Sequence, residues 1–213
     1  FTAGSRTASH QESIPIAAVG KIKVISVDYR MGPEHRFPAA SDDALAVYRE
    51  LLKHYKPENI GIYGCSAGAM LSSQLIARLL KEQLPLPAAL SMSCWSAHDI
   101  DGDSNHTVTA QMGIPPFVLS NMAYFEQVDK TDPLVIPGSS QEVLAQFPPS
   151  LLMTATRDFV MSTVIQTHSQ LVRLGVEADL HIWDGLDHAF VLNPGFTESR
   201  ESYELMVTFF DKH

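Results

Sequence analysis

The sequence is poor in cysteine: its 213 residues contain only Cys65 and Cys94, which excludes a scaffold held by several disulfide bonds. No stretch approaches the roughly 18 consecutive apolar residues of a membrane-spanning helix, so we expect no membrane span. Long basic runs are also absent, and 15 Lys and Arg against 24 Asp and Glu give a net charge of −9. An acidic chain of this kind binds nucleic acid poorly, so we expect no nucleic-acid partner.

Metal and targeting motifs are missing as well. There is neither an H-E-x-x-H nor a C-x-x-C motif, so we expect no metal and no cofactor. The first ten residues lack the basic and then apolar regions of a signal peptide. The low cysteine count favours a cytoplasmic location.

What the sequence does contain is an alternation of strand and helix patterns. Apolar β-branched runs predict strands at 21–28, 59–63, 88–95, 150–155 and 177–183, and amphipathic patterns predict helices at 11–20, 39–55, 69–81, 162–174 and 198–211. This order predicts an α/β fold with a mostly parallel sheet and helices on both faces. Residues 96–149 are rich in Pro, Gly, Asp and Asn, with short helical pieces near 118–128 and 140–146. A segment of that length predicts an insertion rather than a simple connection.

Gly64–Gly68 matches G-x-S-x-G between a predicted strand and a predicted helix, the setting of a nucleophile elbow. We expect the hydroxyl of Ser66 to project from the sheet edge. We also expect Gly64 and Gly68 to leave room for the turn, because a Cβ at either place would crowd the strand or the helix. The helix that follows favours a developing negative charge. The alternative is a glycine-rich turn with an inert serine.

A serine nucleophile needs a base, and the base needs an acid that orients it. His188 follows the last predicted strand, where such a base belongs; the alternative is a surface-loop histidine. Asp158 follows the strand 150–155, thirty residues before His188, and its alternative role is a helix N-cap. Asp184 and Asp187 are rivals, but they stand too close to His188 in sequence to face it easily.

Three segments together resemble the hormone-sensitive-lipase family of α/β-hydrolases. Residues 28–40 (DYRMGPEHRFPAA) closely resemble that family's D-Y-R-L-A-P-E-H-x-F-P-A-A run, and residues 64–69 (GCSAGA) resemble its G-D-S-A-G-G. The segments around Asp158 and His188 match the family's acid and base positions. The resemblance covers nearly the whole chain.

The resemblance implies a serine carboxylesterase that acts on short- to medium-chain acyl esters. Ser66 would be the nucleophile, His188 the base and Asp158 the acid, and the backbone N–H of Ala67 would be one oxyanion donor. Glu34 would support the active site; its alternative is an ion pair with Arg30 or Arg36. The expected partner is a small acyl ester, and a homodimer is a further expectation.

The departures from the family concern single residues and the start of the chain. Met31-Gly32 replaces Leu-Ala, Ala69 replaces Gly, and Cys65 replaces Asp. We interpret Cys65 as a small packing residue because nothing suggests an activated thiol. The family carries an H-G-G-G run, which supplies further oxyanion donors, just before a residue like Phe1. We therefore expect a missing N-terminal segment, including a strand between 21–28 and 59–63.

The predicted organisation is a hydrolase core of 1–95 and 150–213 with a small cap of 96–149. Two interpretations of the apolar cap residues remain: they line an acyl pocket, or they pack in the core. These residues are Met112, Phe117, Met122, Tyr124 and Phe125. An amidase or deacetylase with the same triad remains an alternative, because fold and triad do not determine the leaving group. A non-catalytic binding protein on the same scaffold is another, although such relatives lose the histidine. An inactive fragment of such an enzyme is a third.

Overall fold

The computed structural model of the chain describes residues 1–4, 6–7 and 10–213. In this part of the chain one parallel sheet has the strand order β1-β2-β3-β4. Its strands are β1 (Gly61–Cys65), β2 (Ala89–Ser93), β3 (Ser150–Arg157) and β4 (Ala178–Asp187). Parallel neighbours require crossover connections, and helices supply them. The predicted α/β class with a parallel sheet is confirmed.

The helices cover both faces of this sheet. They are α1 (His10–Gly20), α2 (Ala39–Leu51), α3 (Ala67–Lys81), α4 (Asp103–Gln111), α5 (Gln141–Leu144), α6 (Met161–Arg173) and α7 (Thr197–Lys212). One core cluster joins α2, α3 and α6 to side chains such as Leu90, Met92 and Leu152. A second joins α1 and α7 to the opposite side, including Leu151 and Met153. Strand side chains alternate between faces, so β2 and β3 serve both clusters.

The sequence analysis did not predict the helix α4 (Asp103–Gln111), and the reason lies in its composition. Its sequence, DSNHTVTAQ, has no apolar stripe, so periodicity gives no helix signal. The helix buries polar side chains instead: Ser104, Asn105 and Thr109 are all inaccessible or nearly so. The short helical pieces expected near 118–128 and 140–146 are 3₁₀ turns at Leu119–Asn121 and Ala123–Phe125 and the helix α5.

The expectation of a strand at 21–28 is wrong. These residues have no helix or strand structure, and Ile22 and Ile25 are exposed. A cleft of about 1200 Å³, lined on one side by Val24 and Ser26 and on the other by Gly61 and Tyr63, separates them from β1. A strand needs a partner for its N–H and C=O groups. The β-branched pattern of 21–28 indicates a preference for extended backbone, but it does not show whether a neighbouring strand is there to pair with it.

Glu12 is a carboxyl group that α1 buries. Its Oε1 atom has no hydrogen-bond partner among the described residues, and burial raises the pKa of Glu12 to about 8. The unfolded chain releases this proton near the ordinary glutamate pKa of about 4.3. Between those two values the unfolded state is ionised while the folded state still holds its proton, so the free energy of unfolding falls as pH rises.

We therefore expect Glu12→Gln to be more stable than the parent at pH 8, by roughly 2–4 kcal/mol. The advantage should shrink to about half a kcal/mol at pH 4.5, where the glutamate is neutral in the folded state and only about half ionised in the unfolded state. Urea unfolding at the two pH values measures it. The exposed Glu142→Gln is the control and should show no such pH-dependent gain. An equal effect of Glu12→Gln at both pH values would contradict the prediction.

Candidate active site

Ser66 occupies the sharp turn between β1 and α3. Its backbone angles are φ 53° and ψ −116°, and this left-handed φ is unfavourable for a residue with a side chain. The strained turn is held on both sides. The N–H of Ser66 donates to the carbonyl of Ser93 at 2.8 Å, and its carbonyl accepts from the N–H groups of Ala69 and Met70. The hydroxyl therefore stands at the carboxyl edge of the sheet.

The two glycines of the motif have different surroundings. A Cβ on Gly64 would lie 2.3 Å from the carbonyl carbon and oxygen of Gly68, so the strand and the helix meet here without space for a side chain. At Gly68 our expectation is wrong, because an added Cβ there meets nothing within 4 Å. The reason is that Gly68 faces the cleft beside β1. Only Gly64 is required by close packing.

His188 lies beside Ser66. Its Nε2 atom is 2.8 Å from the Ser66 hydroxyl oxygen, although 122 residues separate the two in sequence. The histidine stands directly after β4 and before the 3₁₀ turn Phe190–Leu192. Ala189 takes a left-handed φ of 60°, which turns the chain back toward α7. The imidazole side chain is 22% exposed, so one edge remains open to a ligand.

Asp158 is the carboxylate on the other side of the imidazole. Its Oδ1 lies 2.7 Å from Nδ1 of His188, and the aspartate is fully buried. A buried carboxylate needs hydrogen-bond donors to offset its desolvation. Two donors besides His188 serve this purpose: the Val160 N–H donates to Oδ1 at 3.1 Å, and the Thr154 hydroxyl donates to Oδ2 at 2.9 Å. With the Nδ1 proton directed at Asp158, Nε2 is free to accept the serine proton.

Thr154 is a site residue that our sequence reasoning missed. It is the one hydroxyl-bearing side chain that β3 places against Asp158, and it is inaccessible to solvent. Its signal in the sequence is weak but present, because it is a polar residue directly after the apolar run Leu151–Met153, four positions before the acid. β3 has a bulge between Ala155 and Arg157, and the Asp158 N–H donates to the Ala155 carbonyl at 3.0 Å, so the chain turns here and Asp158 lies against Thr154.

The rival aspartates do not hydrogen-bond to His188 in the described part of the chain. Asp184 accepts a hydrogen bond from the Thr156 hydroxyl at 3.1 Å, and that hydroxyl also accepts from the Gly185 N–H at 2.7 Å. Asp187 is in register with Arg157. These contacts hold the chain just before His188 and leave Asp158 as its carboxylate neighbour.

Ala67, the expected oxyanion donor, is the first residue of α3. The N–H groups of a first helical turn have no acceptor within the helix, and the partial positive charge of the helix terminus adds to them. Ala67 and Ser66 both line the cleft described above. An anionic oxygen above Ser66 would therefore meet a donor that has no acceptor within its own helix.

Glu34 lies in an exposed turn, and among the described residues it is not hydrogen-bonded to Ser66, His188 or Asp158. The ion pairs considered as its alternative are taken by other carboxylates, because Arg30 pairs with Asp43 at 2.8 Å and Arg36 with Glu126 at 2.5 Å. Its supporting role stays a prediction.

Cys65 and Cys94 lie next to each other below the elbow. The hydrogen bond from Cys94 lowers the pKa of the Cys65 thiol, but burial and the nearby Glu12 and Asp158 outweigh it and raise the pKa. Donating that hydrogen bond, together with burial, raises the pKa of Cys94 well above its usual range. Thiolate is the reactive form, so neither cysteine is activated. Cys65 packs against the second core cluster.

The apolar residues of 96–149 have different environments. Tyr124 and Phe125 are fully buried and belong to the first core cluster, whereas Met112 is 58% exposed. Phe117 and Met122 are partly buried. The packing interpretation therefore applies to Tyr124 and Phe125.

Two further observations concern only the residues that the structure describes. No three His, Cys, Asp or Glu side chains cluster closely enough there to hold a metal ion. No helix in those residues is both long enough and apolar enough to cross a membrane.

Comparison with known proteins gives consistent results. Residues 1–192 match the family described as α/β hydrolase fold. An acetyl-hydrolase from Streptomyces hygroscopicus is 27% identical over 98% of this chain and 71% of its own length. An esterase crystal structure has 33% identity and a TM-score of 0.87, covering 98% of this chain and 65% of that one. A hormone-sensitive lipase from a metagenome library has 27% identity and a TM-score of 0.89, covering 99% and 72%.

Proposed function

This chain belongs to the α/β-hydrolase fold family, and from that premise we propose that it hydrolyses carboxylic esters of short- to medium-chain acyl groups. It resembles the family's hormone-sensitive lipases. One observation carries the proposal: Ser66, His188 and Asp158 form a continuous hydrogen-bonded chain, with 2.8 Å from the serine oxygen to Nε2 and 2.7 Å from Nδ1 to the carboxylate. This is the arrangement that activates a serine alcohol.

In the acylation step, the Ser66 oxygen attacks the ester carbonyl carbon while Nε2 of His188 takes the hydroxyl proton. The carbonyl oxygen becomes an anion, and the Ala67 N–H donates a hydrogen bond to it. When this intermediate collapses, the bond to the alkoxy oxygen breaks. His188 delivers its proton to that oxygen, so the alcohol leaves and the acyl group stays on Ser66.

Deacylation repeats the sequence with water. His188 takes a proton from water as the water oxygen attacks the acyl carbon, and the second tetrahedral intermediate then releases the acid and returns the proton to Ser66. Asp158 remains ionised throughout. It holds the imidazole tautomer through Nδ1 and stabilises the positive charge that the ring carries in each intermediate.

We place the substrate-binding cap in residues 96–149 and the catalytic core in 1–95 and 150–213. The support is a contact: Phe117, from the proposed cap, packs on Phe159 with ring centroids 4.4 Å apart, and Phe159 borders His188. The proposed cap therefore reaches the catalytic histidine through Phe159. The cytoplasmic location and the homodimer predicted from the sequence are tested by cell fractionation and by light scattering.

The alternatives have less support. An amidase or deacetylase would use the same residues; the solved structure compared above is named an esterase, which favours ester substrates, whereas the name of the acetyl-hydrolase relative fits acetyl esters and a deacetylase alike. A non-catalytic binding protein would have no need of the hydrogen bond from Ser66 to His188.

The test combines turnover with covalent labelling of the protein as it is naturally made. We expect hydrolysis of p-nitrophenyl acetate and butyrate to exceed that of the octanoate. Diethyl p-nitrophenyl phosphate should release one equivalent of nitrophenolate and attach its phosphoryl group to the peptide that carries Ser66. Ser120→Ala, at an exposed serine, should label normally. Ester turnover with the label elsewhere, or no turnover with any of the three esters, would contradict the proposal.

A further inference from the structure

Phe159 is an aromatic side chain in contact with the imidazole of His188. It follows Asp158 directly in sequence, and its ring centroid is 4.3 Å from that of His188 with 34° between the ring planes. The ring is partly buried. One short loop therefore presents two groups to the same histidine: a carboxylate to Nδ1 and an aromatic face to the ring.

Phe117 lies on the far side of Phe159. The two rings are 4.4 Å apart at 31°, so Phe159 is held between Phe117 and His188. Phe117 is itself fixed by the buried Asn105 of α4. The Asn105 side-chain amide donates to the Phe117 carbonyl at 2.9 Å, and its oxygen accepts from the Phe117 N–H at 3.0 Å.

The start of α4 also holds the backbone of the Phe159 loop. The Ser104 hydroxyl donates to the Phe159 carbonyl at 2.9 Å. Ser104 and Ser162 form a reciprocal pair, in which each N–H donates to the other hydroxyl oxygen at 3.0 and 2.9 Å. The buried polar residues of α4 thus hold both the backbone of Phe159 and the ring that packs against it.

This arrangement restrains a rotation of the His188 ring that its hydrogen bonds to Ser66 and Asp158 still permit. The second side-chain torsion of a histidine is broad, and bonds at two ring atoms permit the ring to rock about the line between them. A flat apolar surface against the ring limits that rocking. The face of a benzene ring also attracts a cation, so it favours the imidazolium that forms during each half-reaction.

We propose that Phe159 is the positioning residue of His188, and that α4 maintains it through Phe117. The inference rests on the proposed function, because it assigns His188 the role of base. It makes the 103–117 segment a support of the base as well as part of the proposed cap. A change at Phe117 should then reach catalysis through Phe159.

The central variant is Phe159→Leu, which keeps an apolar side chain and removes the aromatic face. We expect kcat for p-nitrophenyl butyrate to fall about 10-fold, with KM changed less than about twofold. The midpoint of the acid limb of kcat/KM should move to lower pH by roughly half a unit, because the imidazolium loses a stabilising contact. Phe159→Tyr keeps the face and should restore kcat and the midpoint.

A double-mutant cycle tests the route from Phe117. If Phe117 acts through Phe159, Phe117→Leu lowers kcat in the parent and has no further effect in the Phe159→Leu background. The matched control is Phe209→Leu. Phe209 packs on a different histidine, His213, with ring centroids 4.7 Å apart, so the same substitution should leave kcat and the pH profile unchanged.

A proton NMR signal provides a readout that needs no turnover. The Nδ1 proton of His188, held by Asp158, should give a downfield resonance in the parent and in Phe159→Tyr that broadens in Phe159→Leu. Unchanged kcat, pH profile and resonance in Phe159→Leu would overturn the inference. So would a loss that Phe159→Tyr fails to restore, or one that follows the unfolded fraction in thermal melts. Absent ester turnover in the parent overturns the proposed function instead, and the resonance still decides the inference.

Discussion

Replacing Ser66 with alanine is expected to lower kcat for p-nitrophenyl butyrate by about 10⁵- to 10⁶-fold. The variant keeps His188, Asp158 and the N-terminus of α3, but it has no oxygen that can form the acyl intermediate. Residual hydrolysis would then come from water bound near the donor at Ala67. The measurement is steady-state turnover of the protein as it is naturally made, with enough enzyme to detect slow rates above the spontaneous background.

The control for this prediction is the variant Cys65→Ala, which changes the residue next to Ser66. The Cys65 thiol has a raised pKa and packs in the core, so its loss should reduce kcat less than threefold. A Ser66→Ala variant that keeps a percent or more of the parent kcat would contradict the assignment of the nucleophile. So would a Cys65→Ala variant that is folded and inactive, since a thiol would then be the reacting group.

The second large effect is expected for Asp158→Asn, which should lower kcat by about 10⁴-fold. The substitution keeps the shape of the side chain but replaces an acceptor with an amide. Where the –NH₂ group takes the place of Oδ1, it cannot accept from the Nδ1–H of His188, so the tautomer that leaves Nε2 free to accept the Ser66 proton is no longer favoured. The imidazolium also loses the negative charge that stabilises it. Turnover at pH 7 to 9 measures the loss, and near-ultraviolet circular dichroism verifies the fold.

Asp184→Asn is the matched control, because it makes the same chemical change at the rival carboxylate. Asp184 interacts with Thr156 rather than with His188, so we expect kcat to stay within about threefold of the parent. If Asp184→Asn were the more damaging of the two, the acid would have been assigned to the wrong side of the loop.

Much of the fold was predictable, because its elements follow from local patterns. Alternating apolar strands and amphipathic helices predicted the parallel sheet, and they predicted five helices within a few residues of α1, α2, α3, α6 and α7. The helix α4 escaped because it is held by buried polar side chains, for which periodicity has no signal. The 21–28 strand was overpredicted because β-branched residues indicate extended backbone, whereas a strand needs a hydrogen-bonded neighbour.

The α/β class and the elbow at Ser66 follow from the amino-acid sequence alone, because periodicity and the spacing of small residues are local properties. Candidate residues for the base and the acid also followed from their places after predicted strands. The choice of carboxylate that faces His188, and its support by Thr154, became visible in the folded chain. The tertiary structure alone revealed Phe159 between His188 and Phe117. These contacts join residues from separate elements, and their distances depend on sheet register, a bulge and the packing of α4, which no local pattern specifies.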